Sequence, residues 1–197
     1  MSNSTIHHAA ADGYKQGADT YVRGRPDYPA GVTAWLSETL GLGPGQTVLE
    51  VGAGTGKFTT RLIQTGARVI VVEPVQAMLD KLSGNYPEVE THLGTAQAIP
   101  LADASVDVVV CAQAFHWFST SAALIEMYRV LKPGGQLGLI WTCVMPVCRG
   151  WRNWMRWSIS GKAMRRAFTP AHGVRHFLIR VSALCASSNF AIPTTDR

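Results

Sequence analysis

A glycine-rich segment directly after an apolar run restricts this chain to few folds. The segment Glu50-Val51-Gly52-Ala53-Gly54-Thr55-Gly56 ends the strand-like run 47–51 and precedes a helix predicted over 57–64. Glycines let a backbone turn sharply and approach a ligand without a Cβ in the way. The same pattern also suits a tight strand–helix connection that binds nothing. Taken alone, it therefore predicts a β–turn–α unit and is only weak evidence for a ligand site.

The first 141 residues repeat this alternation of strands and helices. Strands are predicted at 47–51, 68–73, 89–93, 106–112 and 136–141, and helices at 33–41, 57–64, 76–82 and 122–131. Gly84 is expected to close the third of these helices, and Lys132-Pro133-Gly134-Gly135 the fourth. Continuous apolar strands between helices predict an α/β fold with a Rossmann-like, doubly wound, mostly parallel sheet. Such sheets bind ligands at the carboxyl ends of their strands.

An acidic residue at the end of the second strand strengthens the case for a ligand. Glu73 lies 21 residues after Gly52, and a carboxylate at this spacing can accept hydrogen bonds from both hydroxyls of a ribose. A surface carboxylate at a strand end is the alternative. Lys57 stands where the dinucleotide pattern G-x-G-x-x-G would place its third glycine. The spacing therefore favours a nucleoside over a dinucleotide.

Composition narrows the protein class. The chain has 197 residues and 47% hydrophobic residues, which suits one domain with a sizeable core. No apolar stretch approaches the roughly 18 residues of a membrane span. The N-terminus has no basic region followed by an apolar one, so a cytoplasmic protein is expected. The four cysteines form no C-x-x-C pair, so neither a disulfide framework nor a metal site is expected.

Five segments together resemble the class I S-adenosyl-L-methionine (SAM) dependent methyltransferases. The run 48–56 resembles their first motif and Glu73 their second. The run 94–100 is similar to their adenine-side loop, 107–114 to their fourth-strand motif, and 131–135 to the turn before their fifth strand. The resemblance covers about residues 12–141 in the family's order. It implies SAM as cofactor and methyl transfer to a small molecule.

The resemblance also implies roles for individual residues. Gly52, Gly54 and Gly56, with Ala53 among them, would let the backbone meet the amino-acid part of SAM. Glu73 would bind the ribose, and Pro74 would pack on the adenine face. Ala96 and Gln97 would flank the adenine. Gln113 would lie near the methionine portion, and Glu50 would hold a water molecule or the ammonium group of SAM.

A narrower resemblance concerns two further segments. Tyr21 and the run Arg25-Pro26-Asp27-Tyr28-Pro29, together with Phe115-His116-Trp117-Phe118, look like a subgroup that acts on small molecules. In that subgroup the N-terminal Tyr and Arg segment caps the cofactor pocket, which implies that Tyr21 and Arg25 touch the cofactor. The alternative is a loop made rigid by its two prolines.

His116 is the candidate catalytic base. It follows the fourth strand at the end where ligands bind, and an imidazole can accept a proton near neutral pH. A base is needed only when the methyl acceptor must lose a proton. His116 could instead stack or hydrogen-bond within the aromatic cluster that surrounds it.

Composition changes abruptly near Trp141. Residues 1–141 hold 12 acidic and 9 basic residues, a net charge of −3, whereas residues 142–197 hold one acidic and 9 basic residues, a net charge of +8. We therefore divide the chain into a SAM-binding core with an N-terminal cap segment (1–141) and a basic tail rich in Trp, Arg and Cys (142–197). The last strands expected of the family's sheet are not evident in the tail.

Three interpretations of the tail stay open. It could be a helical ending, since Trp151, Trp154 and Trp157 recur at a spacing that lies on one helix face. It could be a basic arm for nucleic acid. It could be a non-native reading frame that truncates an ordinary enzyme; resequencing that found no alternative frame restoring the family pattern would remove this idea.

The sequence thus predicts a SAM-dependent methyltransferase with a small-molecule acceptor. The main alternative is a truncated or degenerate domain that binds SAM without turnover. A nucleic-acid methyltransferase is less favoured, because no Asp/Asn-Pro-Pro-Tyr/Phe signature is present. A nicotinamide-dependent oxidoreductase is the most distant alternative. The sequence assigns neither a membrane partner nor an oligomeric state.

Overall fold

The fold is known from a computed structural model that describes residues 28–29, 31–143 and 178–185. For 142–143 and 178–185 it describes the backbone alone. Among the described residues, no helix is both long and apolar enough to cross a bilayer.

Strands and helices alternate along the chain as the sequence predicts. The elements are α1 (Gly31–Leu40), β1 (Thr47–Val51), α2 (Thr59–Ile63), β2 (Arg68–Glu73), α3 (Gln76–Asn85), β3 (Glu90–Leu93), β4 (Val106–Ala112), a 3-10 turn (Phe115–Trp117), α4 (Ser121–Val130), β5 (Leu131–Cys143) and β6 (Leu178–Cys185). Runs of valine, isoleucine and leucine form the inner strands, because branched side chains fit a pleated sheet covered on both faces.

The strands form one sheet in the order β3-β2-β1-β4-β5-β6. Every neighbouring pair is parallel. The chain moves outward from β1 to β3 and then crosses back to place β4 on the other side of β1, so the order reverses between β1 and β4. The predicted Rossmann-like, doubly wound sheet is confirmed, and its carboxyl edge at this reversal is where such folds bind ligands.

Two hydrophobic clusters cover the two faces of the sheet. On one face α1, α2 and α3 pack on alternate strand residues, with Leu36, Leu62 and Leu82 fully buried. On the other face α4 contributes Met127. Because both faces are covered, the strands show continuous burial rather than alternation.

Some predicted boundaries were wrong. Gly84 does not close its helix, since α3 continues to Asn85; one glycine near a helix end costs only about 1 kcal/mol, less than the packing of the helix provides. The run 132–135 is not a separate loop but an irregularity inside β5, where Leu131 pairs with Val106 and Gln136 with Val108.

The tail supplies a strand that the sequence did not reveal. β6 pairs in parallel with β5 from Gln136↔Leu178 to Cys143↔Cys185. A strand that the sequence analysis did not find beside β5 is therefore present, and the structure describes its backbone. The run Leu178–Cys185 lacks the Val and Ile density of the inner strands, which is why its pattern did not predict a strand. The tryptophans of the predicted helical face lie outside the described residues.

Candidate functional site

The glycine-rich loop leaves β1 at the reversal point of the sheet. The three glycines 52, 54 and 56 all have positive φ, at 75°, 61° and 87°, a conformation that costs other residues about 1–2 kcal/mol. A Cβ on Gly52 would lie 2.8 Å from the Cβ of Ala114, whereas one on Gly54 would meet only the Met78 sulfur at 3.8 Å. Gly52 is thus required by packing, and Gly54 leaves space beside the loop.

Glu73 joins this loop to the end of β2. Its Oε2 accepts a hydrogen bond from the Gly54 N–H at 2.9 Å, and its Oε1 accepts one from the Val75 N–H at 3.1 Å. A carboxylate offers about four acceptor positions, so each oxygen retains one for a ligand. The residue is only 4% exposed, and burial raises the pKa of its carboxyl although the two N–H donors oppose the shift.

A second carboxyl lies beneath the loop. Glu50 is 1% exposed and accepts a hydrogen bond of 2.6 Å from the Thr59 hydroxyl at the start of α2. Burial raises the pKa of Glu50 to about 7, with a smaller contribution from the nearby charge of Glu73. Two buried acids on adjacent strands thus lie at this end of the sheet, and burial favours the neutral form of each.

The turn after β4 closes the site from the side. Gln113 has φ 57° although it is not glycine, and its N–H donates to the Ile140 carbonyl at 2.8 Å. Strained backbone of this kind clusters at functional sites. The Phe118 ring lies 3.2 Å from a Cβ position on Gly52, so this turn touches the glycine loop. His116 lies in the same turn, where its ring stands 4.8 Å from the Trp117 ring.

A tight turn after β3 brings the predicted adenine-side residues to the same edge. The Gly94 N–H donates to the Glu73 carbonyl at 3.2 Å, and the Ala98 N–H donates to the Thr95 carbonyl at 3.1 Å. Ala96 and Gln97 are the central residues of this turn; Ala96 is buried and Gln97 is half-buried. Pro74, also half-buried, follows Glu73 on the neighbouring strand.

The structure describes only part of the N-terminal segment. Tyr21 and Arg25 lie outside the described residues. Tyr28 is buried, its ring packs edge-on against Phe58 at 4.7 Å, and its carbonyl accepts a hydrogen bond from Arg61. The end of this segment therefore contacts the elements that follow the glycine loop.

Sequence reasoning missed several residues that shape the site. Thr59 holds Glu50, and Tyr86 packs on Gly56 while sharing a 2.6 Å hydrogen bond with the Thr60 hydroxyl. A buried acid needs a donor, so a search for a hydroxyl at the start of the next helix could have found Thr59. No local pattern marks Tyr86, because its contact with the loop depends on how α3 packs.

Comparison with known proteins identifies the domain. Residues 49–139 match the model of the family described as "Methyltransferase domain". This stretch runs from β1 to β5 and includes the glycine loop, Glu73, the turn after β3 and the turn after β4.

Curated relatives carry methyltransferase names. An uncharacterised methyltransferase-like protein of Schizosaccharomyces pombe is 46% identical over 129 residues, 65% of this chain and 50% of that protein. An uncharacterised methyltransferase of Mycobacterium tuberculosis is 49% identical over 121 residues, 61% of this chain and 48% of that protein. A malonyl-[acyl-carrier protein] O-methyltransferase of Serratia marcescens is 32% identical over 140 residues, 68% of this chain and 53% of that protein. The chain thus spans about half the length of these relatives.

Solved structures show the same fold. A protein of Methanococcus maripaludis, described as a proposed S-adenosyl-L-methionine-dependent methyltransferase, is 16% identical with a TM-score of 0.56, over 88% of this chain and 82% of that one. The [4+2]-cyclase SpnF is 24% identical with a TM-score of 0.57, over 66% of this chain and 58% of that one. Since a cyclase shares the fold, the fold alone does not assign methyl transfer.

Proposed function

Because this chain carries a methyltransferase domain and resembles the class I SAM-dependent methyltransferases, we propose that it binds SAM at the reversal point of its sheet and methylates a small molecule. The observation that carries the proposal is the hydrogen bond from the Gly54 N–H to Glu73. It joins the glycine loop, which has space beside Gly54, to the acid that we assign to the ribose, and each oxygen of that acid retains an acceptor position.

The residues fit this cofactor chemically. SAM carries its methyl group on a positively charged sulfur, which activates the group for displacement. Glu50 and Glu73 are both buried at the site; a cationic ligand would stabilise their ionised forms, whereas the diphosphate of a dinucleotide would not. The gap beside Gly54 leaves space for the amino-acid part of the cofactor.

Individual roles are proposed from the family resemblance. The backbone of the loop 52–56, including Ala53, meets the amino-acid part of SAM, and Glu73 accepts hydrogen bonds from the ribose hydroxyls. Ala96 and Gln97 flank the adenine, with Pro74 on its face. Gln113 approaches the methionine portion. Tyr21 and Arg25, which lie outside the described residues, are assigned to the cap segment by the resemblance alone.

His116 serves as base only if the acceptor must lose a proton. A hydroxyl or ammonium acceptor needs one, and the imidazole stands in the turn that touches the glycine loop through Phe118. A carboxylate acceptor is already an anion at neutral pH and needs none. The kinetic effect of His116→Asn therefore reports the class of acceptor: a loss of about a hundredfold or more in kcat indicates proton removal, and little change indicates a carboxylate.

A carboxylate acceptor is the second candidate. The relative named malonyl-[acyl-carrier protein] O-methyltransferase supports it at 32% identity. Incubation of the chain with SAM and a malonyl thioester, followed by mass detection of the methyl ester, tests it. Formation of the ester that continues in His116→Asn would establish this acceptor class, and its absence would leave a hydroxyl, amine, thiol or carbon acceptor.

The first experiment is calorimetric titration with S-adenosylhomocysteine (SAH). We expect the wild-type chain to bind, Glu73→Gln to bind at least tenfold more weakly because it loses a charge-assisted acceptor, and Glu90→Gln to bind like wild type. Glu90 is the matched control, because it is a carboxylate on the neighbouring strand β3 that pairs with His92. A folded wild-type chain that ignores SAH but binds a nicotinamide dinucleotide would refute the proposal.

The proposal also concerns the two parts of the chain, 1–141 and 142–197. We assign cofactor binding to 1–141 and leave acceptor binding to be shared with 142–197. Titration with SAH that succeeds while no methyl transfer follows would favour the cofactor-binding domain without turnover. Binding of RNA or DNA that weakens steeply with salt would favour the nucleic-acid alternative.

A further inference from the structure

An arginine of α4 binds the end of the turn that follows β3. The Arg129 guanidinium donates from Nη2 to the Ile99 carbonyl and from Nη1 to the Leu101 carbonyl, both at 2.8 Å. It also donates to Asp103 at 2.7 Å and, from Nε and Nη2, to the two oxygens of Glu126 at 2.8 and 2.9 Å. A guanidinium has five N–H donors in a fixed fork, and all five are directed to acceptors.

Glu126, three residues before Arg129 on the same helix, binds the same turn. Its Oε2 accepts a hydrogen bond of 2.9 Å from the Ile99 N–H. The N–H and the carbonyl of Ile99 are therefore both bound by side chains of α4. Arg129 is 28% and Glu126 20% exposed, so the pair is shielded more than an ordinary surface ion pair, which contributes little.

The other end of the same turn is fixed to the site. The Gly94 N–H donates to the backbone carbonyl of Glu73, and a Cβ on Gly94 would lie 3.0 Å from Pro100. Between these two attachments stand only Thr95, Ala96, Gln97 and Ala98, with one hydrogen bond across the turn. The position of Ala96 and Gln97 therefore depends on Glu73 at one end and on Ile99 at the other.

We propose that Glu126 and Arg129 are positioning residues for adenine recognition, acting through Ile99 on the turn that presents Ala96 and Gln97. This inference rests on the proposed function, since it assigns the turn to the adenine. Losing the fork lets the exit of the turn move, and a backbone amide displaced by about 1 Å no longer meets a base edge within hydrogen-bond distance. The ribose contact at Glu73 is left intact.

The test compares Arg129→Lys with Arg68→Lys. Lysine keeps the charge but cannot reproduce five donors in a plane. Arg68 is the matched control, because it pairs with Glu90 on the edge strand β3 and its side chain is 68% exposed. Glu126→Gln is the milder second variant, since its amide oxygen still accepts from Ile99 while the ion pair is lost.

Three probes separate positioning from stability. Calorimetric dissociation constants at 10 °C are measured for SAH, for 5′-methylthioadenosine, which lacks the amino-acid part, and for S-inosylhomocysteine, which carries hypoxanthine in place of adenine. We expect Arg129→Lys to raise the Kd of SAH and of methylthioadenosine by the same factor, about tenfold or more. The preference for SAH over the inosine analogue should shrink, Glu126→Gln should lie between, and Arg68→Lys should match wild type.

The outcomes are distinguishable. A wild-type chain that is folded and does not bind SAH refutes the proposed function and this inference with it. Wild-type binding together with unchanged affinity and base preference in both Arg129→Lys and Glu126→Gln overturns this inference alone. A lower melting temperature with unchanged Kd values would likewise show a purely structural role. If Arg129→Lys does not fold, the same comparison of Kd values and base preference in Glu126→Gln decides the matter.

Discussion

The buried carboxyl of Glu50 should make the stability of this protein fall as pH rises. In the unfolded chain the group loses its proton near the ordinary pKa of 4.5, whereas in the folded chain burial holds the pKa near 7. Between these values the folded state binds one more proton than the unfolded state. Stability therefore decreases with pH in this window.

The magnitude follows from the shift. A change from 4.5 to about 7, at 1.36 kcal/mol per pKa unit, corresponds to roughly 3 kcal/mol. This contribution is fully present below pH 4.5 and is lost above pH 7. Glu50→Gln removes the titration while the amide oxygen can still accept from Thr59. The variant should therefore equal wild type at acid pH and exceed it by about 3 kcal/mol at pH 8.5.

The assay is urea unfolding of both proteins between pH 4.5 and 8.5. The measured quantity is the difference in free energy of unfolding, since titrations common to both proteins cancel. Glu90→Gln is a control of opposite sign: hydrogen bonding to His92, the largest cause, lowers the pKa of Glu90, so that variant loses stability at neutral pH and recovers it in acid. A Glu50→Gln difference that stays constant across the range would refute the reasoning.

Three further changes test other parts of the structure. Gln113→Gly removes backbone strain at φ 57° and should raise the free energy of unfolding by about 0.5 to 1 kcal/mol in urea unfolding. It should also weaken SAH binding in calorimetry, because the side chain proposed to lie near the methionine portion is lost. A loss of stability together with a loss of binding would contradict the assignment. Gly52→Ala places a Cβ 2.8 Å from Ala114 at φ 75° and should cost about 2 to 4 kcal/mol in urea unfolding. Thr120→Ala removes the hydroxyl that accepts from the Ala123 N–H at the start of α4 and should lower stability by about 1 kcal/mol, with Thr120→Ser retaining most of it.

The inner part of the fold was predictable because its signals are local. β1, β2 and β4 match the predicted runs 47–51, 68–73 and 106–112 residue for residue, since continuous apolar runs between turn residues leave few alternatives. β6 was missed because its pairing depends on β5, which lies more than thirty residues earlier in the chain. Gly84 misled because a glycine can either end a helix or be tolerated inside one.

The candidate site likewise contains residues that the sequence predicted and residues that only the structure reveals. Spacing alone pointed to the glycine loop and Glu73, and the structure joins Gly54 and Glu73 by a hydrogen bond. Thr59, Tyr86 and Arg129 were not predicted, because each acts through a contact set by packing between elements. Sequence motifs identify groups that face a ligand, whereas groups that hold those in place emerge only from tertiary contacts.

The strand order places the proposed cofactor contacts on one side of the sheet and the last two strands on the other. Among the described residues, every group proposed to touch the cofactor lies between Glu50 and Phe118, on β1 to β4 and the turns after them. β5 and β6 come later and occupy the opposite side of β4. Within the described part of the chain, substitutions after Val130 therefore replace none of the proposed nucleoside contacts. Side chains of β5 and β6 can therefore change without altering the proposed donor pocket.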